Sequence, residues 1–434
     1  MRKLSILALI ILISVSCSQR PEPLPGPHSE QMAEFGEKPF HKEPVKVLTG
    51  LDVLEGMGFQ PLAGKRVGIV TNHTAVNRQG QHLVDLLHAS PEVEVGAIFG
   101  PEHGFRGHVE GGFDIETVTD SLTGAPIYSI YGSTRKPTPE MVAGLDFLVF
   151  DIQDVGARFY TYISTMGYVM EAAGEYGLPL MILDRPNPVS GVARGPILNM
   201  EHQSFVGMYP IPIQHGLTVA ELAKMIQGEA WMPHMDSLDL HIVPMEGWTR
   251  DLFWQDTDLE WIDPSPNMRN PLEAITYPGL CLLEGTNLNE GRGTVMPFEQ
   301  IGAPWMDSKS VARQLLESSV AGFTVEPVVY TPVSMPGYSL HPRFMGEEVN
   351  GILIRVPEPQ LFDAVAFGVH YLTIMHTDYP EQFEWRSPAS IDRFWGSSSL
   401  REQLAEGKTA DEIIASYGAE LDAFNNLRTP YLIY

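Results

Sequence analysis

The sequence feature that most constrains the fold is a repeated alternation of short apolar segments and helix-like segments from about residue 50 onward. The apolar segments are rich in Val, Ile and Leu, which is typical of buried strands. Strand–helix–strand order with nearly continuous apolar strands predicts a parallel sheet covered by helices on both faces. We expect strands at 66–71, 93–99, 126–130, 146–151, 178–183 and 238–244, and helices at 81–88, 161–175 and 218–228.

The pattern changes after about residue 283, where helices and strands no longer alternate strictly. Helices are predicted at 307–318 and 361–375, strands at 323–330 and 352–356, and two helical pieces within 405–426. Residues 263–304, rich in Gly, Asn and Pro, are interpreted as a connector. The predicted fold class is α/β, with a Rossmann-like domain at 46–282 and a smaller α+β domain at 283–434.

The N-terminus has the pattern of a bacterial lipoprotein signal. A basic start, Met1-Arg-Lys, precedes an apolar segment over 4–15 that is too short to span a membrane comfortably. Ser14-Val-Ser-Cys17 is similar to a lipobox. We therefore expect a signal peptide at 1–16, lipidation of Cys17 and a flexible tether at 17–45. The protein would be anchored to a bacterial membrane through this lipid, facing the periplasm or the cell exterior.

The charge and cysteine content exclude several classes of protein. A formal net charge of −26 argues against nucleic acid and anionic lipid surfaces as partners, because both require clustered Lys and Arg. The chain has 2 cysteines, Cys17 and Cys281. If Cys17 is lipidated, no disulfide can form within the chain.

Polar side chains follow the predicted strands where each strand ends. In a parallel sheet these ends share one edge, where ligands bind in α/β proteins. The sequence therefore predicts that several loops meet in one crevice at this edge. The residues concerned are Asn72, His73, Glu102, His103, Arg106, Asp151, Asp154, Asp184 and Arg185.

Motifs for common cofactors and nucleophiles are missing from the sequence. No G-x-G-x-x-G follows the first strand, and G-x-x-x-x-G-K-[ST], G-x-S-x-G and H-E-x-x-H do not occur. Glu102, His103 and His108 fit no strong metal template. We therefore predict neither a cofactor nor a metal.

The carboxylates of the crevice suit glycoside cleavage, which needs one carboxyl group to protonate the leaving oxygen and a second anionic group. Glu102, beside an apolar strand and a proline, is the candidate acid. Asp151 and Asp154 are candidates for the second group, and His103 could orient Glu102 or contact sugar hydroxyls. The alternatives are structural: a salt bridge from Glu102 to Arg106, and sheet-end roles for both aspartates.

Two further segments could contact a sugar. Arg158, Tyr160 and Tyr162 lie at a predicted helix start, where aromatic rings and hydroxyls suit a sugar and an arginine suits a carboxylate. A polar, glycine-rich loop at 284–294 could close the crevice with Asn287, Glu290 and Arg292. Helix packing for the tyrosines and a connector role for the loop are the alternatives.

Ordered blocks of residues carry a resemblance that runs from about residue 50 to the C-terminus. The chain resembles the exo-β-N-acetylmuramidase family (NamZ-type). The blocks are Thr71-Asn-His-Thr74, Gly100-Pro-Glu-His-Gly-Phe-Arg-Gly107, Asp151-Ile-Gln-Asp-Val-Gly-Ala-Arg-Phe-Tyr-Thr-Tyr162, Asp184-Arg-Pro-Asn-Pro188, Pro264-Ser-Pro-Asn-Met268 and Leu283-Glu-Gly-Thr-Asn-Leu-Asn-Glu-Gly-Arg-Gly-Thr294.

The resemblance implies release of terminal N-acetylmuramic acid from the non-reducing ends of peptidoglycan fragments, without an organic cofactor and in a cleft between two domains. It assigns the role of catalytic acid to Glu102, the glutamate of the Gly-Pro-Glu-His-Gly motif. The lactyl carboxylate of this sugar would suit a guanidinium. Arg158 and Arg292 are the candidates, followed by Arg185. A non-catalytic muropeptide-binding lipoprotein is the alternative function, and a metal-dependent hydrolase is a third.

Overall fold

The computed structural model describes residues 43–105 and 118–434. The predicted signal peptide, the lipidation site Cys17 and most of the predicted tether lie outside the described residues, as does Arg106. Within the part that is described, no helix is both long enough and apolar enough to cross a membrane.

A mostly parallel sheet forms the centre of the first part of the fold, as predicted. Its seven strands have the order β3-β4-β2-β1-β5-β6-β9, and β3 alone runs antiparallel to its neighbour. Strands β7 and β8 form a separate antiparallel pair. The strands are β1 Lys65–Thr71, β2 Val93–Gly100, β3 Val118–Thr119, β4 Pro126–Ser129, β5 Phe147–Asp151, β6 Leu180–Leu183, β7 Arg194–Ile197, β8 Pro212–Gln214 and β9 Leu240–Val243.

Helices connect these strands and begin close to the predicted positions. Thr218 caps α4 and forms the predicted capping box with Glu221, in which each side chain accepts a hydrogen bond from the other residue's backbone N–H. The α-helices are α1 Gly50–Gly56, α2 Leu83–Ala89, α3 Tyr162–Tyr176 and α4 Val219–Gly228, with 3₁₀ turns at Gln60–Leu62, Met200–His202 and Trp254–Asp256.

The order in which the chain adds strands to the sheet reverses between β1 and β5. Strand β2 lies on one side of β1 and β5 on the other, so the connections leave toward opposite edges. Thr71 at the end of β1 pairs in register with Asp151 at the end of β5. A ligand crevice is expected at such a switch point, beyond the carboxyl ends of the strands.

The second part is smaller and is built around an antiparallel sheet of order β10-β12-β11, which confirms the predicted α+β character. Its elements are α5 Pro271–Leu280, a 3₁₀ turn Cys281–Gly285, β10 Gln300–Ala303, α6 Ser308–Leu316, β11 Thr324–Tyr330, β12 Val349–Arg355, α7 Ala364–Asp378, α8 Pro388–Trp395, α9 Ser399–Ala405, α10 Ala410–Ser416, α11 Gly418–Arg428 and a 3₁₀ turn Thr429–Tyr431.

The segment interpreted as a connector, 263–304, contains a buried helix and a strand in addition to its turns. Asn270 caps α5 and Pro271 occupies its first position, where a missing N–H costs nothing. The apolar run from Leu280 to Leu283 is buried. The polar residues that suggested a loop are therefore capping and turn residues around a packed element.

The hydrophobic core divides according to the faces of the large sheet. Val149 belongs to the cluster on one face, whereas its neighbour Phe150 belongs to the cluster on the other, as alternating side chains require. The Phe150 cluster continues without interruption into the second part, where it includes Ile352 and Phe367. The two parts of the described chain therefore share one core.

Candidate active site

A cleft of about 460 Å³ lies against residues of both parts of the chain. This volume falls within the range that small-molecule sites occupy, about 300–1,000 Å³. Its lining includes the predicted residues Glu102, His103, Tyr160, Tyr162 and Arg292. The other residues are Tyr131, Phe159, Thr161, Phe205, Val206, Ser265, Pro266, Asn267, Met268, Tyr277, Cys281, Glu284, Phe298, Tyr338, Ser339 and Phe394.

A tight turn at the end of β2 presents Glu102 and His103 to the cleft. The N–H of Gly104 donates to the carbonyl of Pro101 at 2.9 Å. His103 and Gly104 both have left-handed backbone conformations, with φ of 67° and 74°. A side chain at Gly100 would meet the backbone N of Phe105 at 2.8 Å, so this position requires glycine. The motif therefore encodes a compact turn that fixes where Glu102 lies.

Glu102 is half-buried and is held by the loop that follows β5. The hydroxyl of Thr161 donates to Oε2 of Glu102 at 2.6 Å. Thr161 is the N-cap residue of α3, but its side chain makes no capping hydrogen bond to that helix. The hydroxyl that would ordinarily cap a helix is therefore used to orient a carboxyl group.

The cleft floor is aromatic and consists of Tyr160, Tyr162, Tyr277 and Phe298. The four are buried, with at most 8% of any side chain exposed. The ring centroid of Tyr160 lies 5.0 Å from that of Tyr162 and 5.8 Å from that of Tyr277, both edge-to-face. Burial raises the pKa of Tyr160 and Tyr162, and the nearby Glu102 charge raises both further, so their hydroxyls stay neutral.

Arg292 and Glu284 form an ion pair within the cleft lining. Nη2 of Arg292 lies 2.8 Å from Oε1 of Glu284, and its Nε lies 3.2 Å from Oε1 of the buried Glu290. Glu290 is also paired with Arg343, at 2.8 Å. Burial opposes ionisation of Arg292, but the two carboxylates outweigh it and raise the pKa of this arginine. The predicted Glu290 therefore supports Arg292 from behind and does not line the cleft.

Asp151 and Arg185 form a buried ion pair away from this cleft. Nε and Nη2 of Arg185 donate to the two carboxylate oxygens of Asp151, the latter at 2.9 Å. Arg185 lines a separate cavity of about 320 Å³ with Asn77 and Arg78. Both oxygens of Asp151 are engaged by Arg185 at the sheet edge, and Asp151 does not line the cleft.

Asp154 is buried behind the cleft floor. Its Oδ2 accepts a hydrogen bond from the N–H of Gly156 at 2.7 Å and lies 3.3 Å from Nε2 of His215. Its Oδ1 makes no hydrogen bond with the described residues. The charge of Asp154 contributes to the raised pKa of Tyr160 and Tyr162, after the larger effect of burial. Asp154 can thus influence the tyrosines, but it does not line the cleft.

Asp184 joins α4 to the C-terminal residue. Its carboxylate accepts hydrogen bonds from the hydroxyl of Thr218 at 2.8 Å, the N–H of Ala220 at 3.0 Å and the hydroxyl of Tyr434 at 2.7 Å. Burial raises the pKa of Asp184 to about 7. The carboxylate is hydrogen-bonded within the fold, and Asp184 does not line the cleft.

Arg158, predicted to bind a substrate carboxylate, is instead buried with 1% of its side chain exposed. Its guanidinium donates to four backbone carbonyls, those of Pro196, Ile211, Phe394 and Trp395, at 2.7–2.9 Å. Burial lowers the pKa of Arg158 to about 9. It ties α8 to the β7–β8 pair, because a guanidinium has five N–H donors and can bind several carbonyls at once.

Three other predicted residues lie beside the cleft without lining it. Asn72 is buried, and its Oδ1 accepts hydrogen bonds from the N–H and hydroxyl of Thr74. Nε2 of His73 lies 2.7 Å from the carbonyl of Asp263. Asn287 exchanges hydrogen bonds with the backbone of Gln382 and Glu384. Each stabilises a loop that borders the site.

Sequence reasoning did not select Thr161, Tyr277 or Glu284 as site residues. Thr161 stands between two tyrosines that were selected, and only the fold reveals its contact with Glu102. Tyr277 and Glu284 flank Cys281 at helical spacing, four and three residues away, which could have indicated a shared face. That signal was lost because the segment was interpreted as a connector.

The described residues contain no group of three or more His, Cys, Asp or Glu side chains arranged to hold a metal ion. The side chains that line the cleft carry carboxyl, imidazole, hydroxyl, amide, thiol, guanidinium and aromatic groups.

Comparison with known proteins gives consistent matches over the described fold. Residues 67–272 match the family described as "Exo-beta-N-acetylmuramidase NamZ, N-terminal", and residues 275–434 match its C-terminal counterpart. The chain is 43% identical over 390 residues to the peptidoglycan β-N-acetylmuramidase NamZ of Bacillus subtilis, covering 90% of this chain and 92% of that protein.

Two crystal structures of DUF1343 family proteins from Bacteroides fragilis are also similar. Their TM-scores are 0.82 and 0.74, each at 34% identity and covering 90% of this chain and 99% of the other. The similarity therefore extends over both parts of the fold and includes all segments that line the cleft.

Proposed function

The chain belongs to the exo-β-N-acetylmuramidase NamZ family of glycoside hydrolases, and from this premise we propose how its cleft cleaves its substrate. The substrate is a peptidoglycan fragment that ends in N-acetylmuramic acid at its non-reducing end. Glu102 protonates the oxygen that leaves, Glu284 provides the second carboxylate, and a water oxygen becomes bonded to the anomeric carbon as the glycosidic bond breaks. The products are free N-acetylmuramic acid and the shortened saccharide.

One observation carries this proposal. Among the described residues that line the cleft, two have carboxyl groups, Glu102 and Glu284. Hydrolysis of a glycoside ordinarily uses a pair of carboxyl groups placed on either side of the bond that breaks. The other predicted candidates, Asp151 and Asp154, do not line the cleft.

Glu102 is suited to the role of acid by its position and its hydrogen bonding. Thr161 donates to Oε2 and so fixes the orientation of the carboxyl group. Oε1 makes no hydrogen bond with the described residues, which leaves it able to carry the proton toward the leaving oxygen. Positioning of this kind is a requirement for general acid catalysis, since the acid must lie within hydrogen-bond reach of the oxygen it protonates.

Glu284 is suited to the anionic role by its partner. The guanidinium of Arg292 lies 2.8 Å from Oε1 of Glu284 and fixes the position of this carboxyl group in the cleft. An anion at this position would stabilise positive charge that develops on the sugar ring in the transition state.

The remaining parts of the cleft match the other groups of the sugar. The cleft floor offers apolar faces for a pyranose ring together with neutral hydroxyls. Nη2 of Arg292 donates to Glu284, and its Nε lies 3.2 Å from Oε1 of Glu290. Its other donors can bind the lactyl carboxylate that distinguishes N-acetylmuramic acid from its neighbours in the glycan.

We propose further that the protein is a lipoprotein anchored through Cys17 to a bacterial membrane, on its periplasmic or outer face. The basic start, the short apolar segment and the lipobox-like Ser14-Val-Ser-Cys17 support this. An anchored enzyme in that compartment would meet cell-wall fragments.

The direct test uses the disaccharide MurNAc-GlcNAc and the variant Glu102→Gln. The wild-type protein should release free N-acetylmuramic acid, and the variant should lose this activity by a factor of about a hundred or more while its circular dichroism and melting temperature are retained. Full activity in the variant would remove Glu102 from the mechanism. Saturable binding by the wild-type protein without any product would favour a muropeptide-binding lipoprotein instead.

A further inference from the structure

The aromatic lining of the cleft is graded from buried to exposed. The cleft floor is almost wholly buried, whereas three further lining residues, Tyr131, Phe205 and Tyr338, are only partly covered, and Tyr338 has 40% of its side chain exposed. We call these three the cleft rim. In an enzyme that removes a terminal sugar, that sugar occupies the floor and the rest of the saccharide leaves across the rim.

Two arginines lie over rings of the cleft rim. Cζ of Arg135 is 4.4 Å from the ring centroid of Phe205, and Cζ of Arg269 is 4.1 Å from that of Tyr338. A guanidinium stacked in this way keeps the N–H groups at its edge available for a planar, bidentate acceptor. Phe205 belongs to the first part of the fold and Tyr338 to the second, so the arginines approach the rim from two sides.

Neither arginine is neutralised by an ion pair. Among the described residues, no carboxylate lies within 4.0 Å of the guanidinium of Arg135 or Arg269, although Asp263 and Glu273 interact with Arg269 over a longer distance. Nε of Arg269 donates to the carbonyl of Pro266 at 3.3 Å, which leaves its terminal N–H groups for a ligand. Arginines that do form ion pairs with Asp or Glu are Arg66, Arg78, Arg185, Arg194, Arg250, Arg292, Arg313, Arg343, Arg355 and Arg401.

The negative charge of the whole chain makes the missing ion pairs of Arg135 and Arg269 informative. The formal net charge is −26, so available carboxylates are plentiful and an unpaired arginine is not explained by a shortage of partners. Stacking on an aromatic ring gives each arginine a fixed position without a charged partner. Such an arrangement suits recognition of an anion that arrives with a ligand.

We propose that Arg135 and Arg269 bind a carboxylate on the leaving-group side of the substrate, beyond the sugar next to the cleaved bond. This inference rests on the proposed muramidase function and extends it to the rest of the saccharide. Peptidoglycan strands alternate two sugars, so the next N-acetylmuramic acid along the strand carries a second lactyl carboxylate. A peptide attached to a muramic residue is the other source of the same chemistry.

The consequence is a preference for longer or peptide-bearing anionic substrates over the disaccharide. Each contact is a partly exposed ion pair, so the two together should contribute about a fivefold increase in kcat/KM. The gain in kcat/KM should appear mainly as a lower KM, because these groups are remote from the bond that breaks.

The test compares the wild-type protein, the double variant Arg135→Gln/Arg269→Gln and a control variant, Arg313→Gln. Arg313 lies on α6 in an exposed pair with Glu317 and does not line the cleft. The substrates are the disaccharide MurNAc-GlcNAc, the tetrasaccharide that repeats this unit, the same tetrasaccharide with its internal lactyl group amidated, and the same tetrasaccharide with a stem peptide on its internal muramic residue.

We expect the double variant to lose about fivefold in kcat/KM on the tetrasaccharide and to keep wild-type activity on the disaccharide. The amidated tetrasaccharide should be turned over equally by the wild-type and double-variant proteins, and the control variant should behave as wild type. A loss confined to the peptide-bearing substrate would support the carboxylate contact and place its source in the peptide.

Two results for the double variant would overturn the inference. One is an equal loss of kcat/KM on every substrate. The other is no loss on either the unmodified tetrasaccharide or the peptide-bearing substrate. These outcomes differ from failure of the proposed function itself, which would appear as no release of N-acetylmuramic acid from any substrate by the wild-type protein.

Discussion

The hydroxyl of Thr161 donates a 2.6 Å hydrogen bond to Oε2 of Glu102, although Thr161 stands at the N-cap of α3, where such a hydroxyl usually binds the helix backbone. The backbone of Thr161 is already helical, so its hydroxyl is not placed to cap the helix and is available to Glu102. The contact fixes the orientation of the catalytic candidate.

Thr161→Val should therefore reduce activity more than stability. Without the hydroxyl, Glu102 loses its fixed orientation, and kcat on MurNAc-GlcNAc should fall by about tenfold. The melting temperature should stay close to that of the wild type, because the hydroxyl makes no hydrogen bond to the helix. Thr161→Ser keeps the donor and should keep most of the activity; a Ser variant as inactive as the Val variant would contradict this account.

Glu284→Gln tests the second carboxylate. The substitution keeps the size of the side chain and removes its charge, so kcat should fall by about a hundredfold or more, as measured by release of N-acetylmuramic acid. Glu284 is half-buried and paired with an arginine that has a second carboxylate partner, so the fold should tolerate the change. Activity within about threefold of the wild type would rule out this role.

Arg158→Met should act on stability and not on substrate affinity. The side chain satisfies four backbone carbonyls in a buried position, and removing a buried hydrogen-bonded cation costs about 3–5 kcal/mol. Urea denaturation should show this loss, and KM measured well below the melting temperature should be unchanged. An increase in KM without destabilisation would restore Arg158 as a substrate-binding residue.

Glu273 gives a pH-dependent prediction. It is buried near the N-terminus of α5, where burial raises its pKa to about 9 from an ordinary value of 4.5. Between these values the unfolded chain loses the proton and the folded chain keeps it, so this group lowers stability as pH rises from about 4.5 to about 9.

Glu273→Gln resembles the protonated side chain and removes this dependence. Relative to the variant, the wild-type protein should lose at least about 1 kcal/mol of unfolding free energy between pH 5 and pH 9. Chemical denaturation of both proteins at several pH values measures the difference. A constant difference across this range would show that Glu273 is ionised in the folded protein at neutral pH.

Much of the large sheet could be predicted because its strands are buried on both faces. A run such as Phe147–Asp151 has no polar residues before its end, and few other structures accommodate it. The helix at Pro271–Leu280 could not be recognised in the same way. It begins with Asn270 and Pro271, which are residue types common in loops. Its burial depends on packing against α7, which is distant in sequence.

The candidate site was predictable to a smaller extent. The residue types at the strand ends indicated an edge rich in polar groups, and Glu102 lies in the cleft as that reasoning expected. The sequence does not show which charged groups neutralise each other. Asp151 and Arg185 both follow strands and both are polar, but their ion pair depends on the spacing of β5 and β6. Glu284 and Arg292 come together through a turn whose shape no local pattern specifies.

The shared core has a consequence for cooperativity. Because one hydrophobic cluster extends from β5 into α7, neither part of the chain can unfold without exposing apolar surface of the other. Heating should therefore give a single transition in which secondary structure and enzymatic activity are lost together. A fragment containing either part alone would expose apolar side chains of this cluster to solvent. Such a fragment should aggregate rather than retain weak activity.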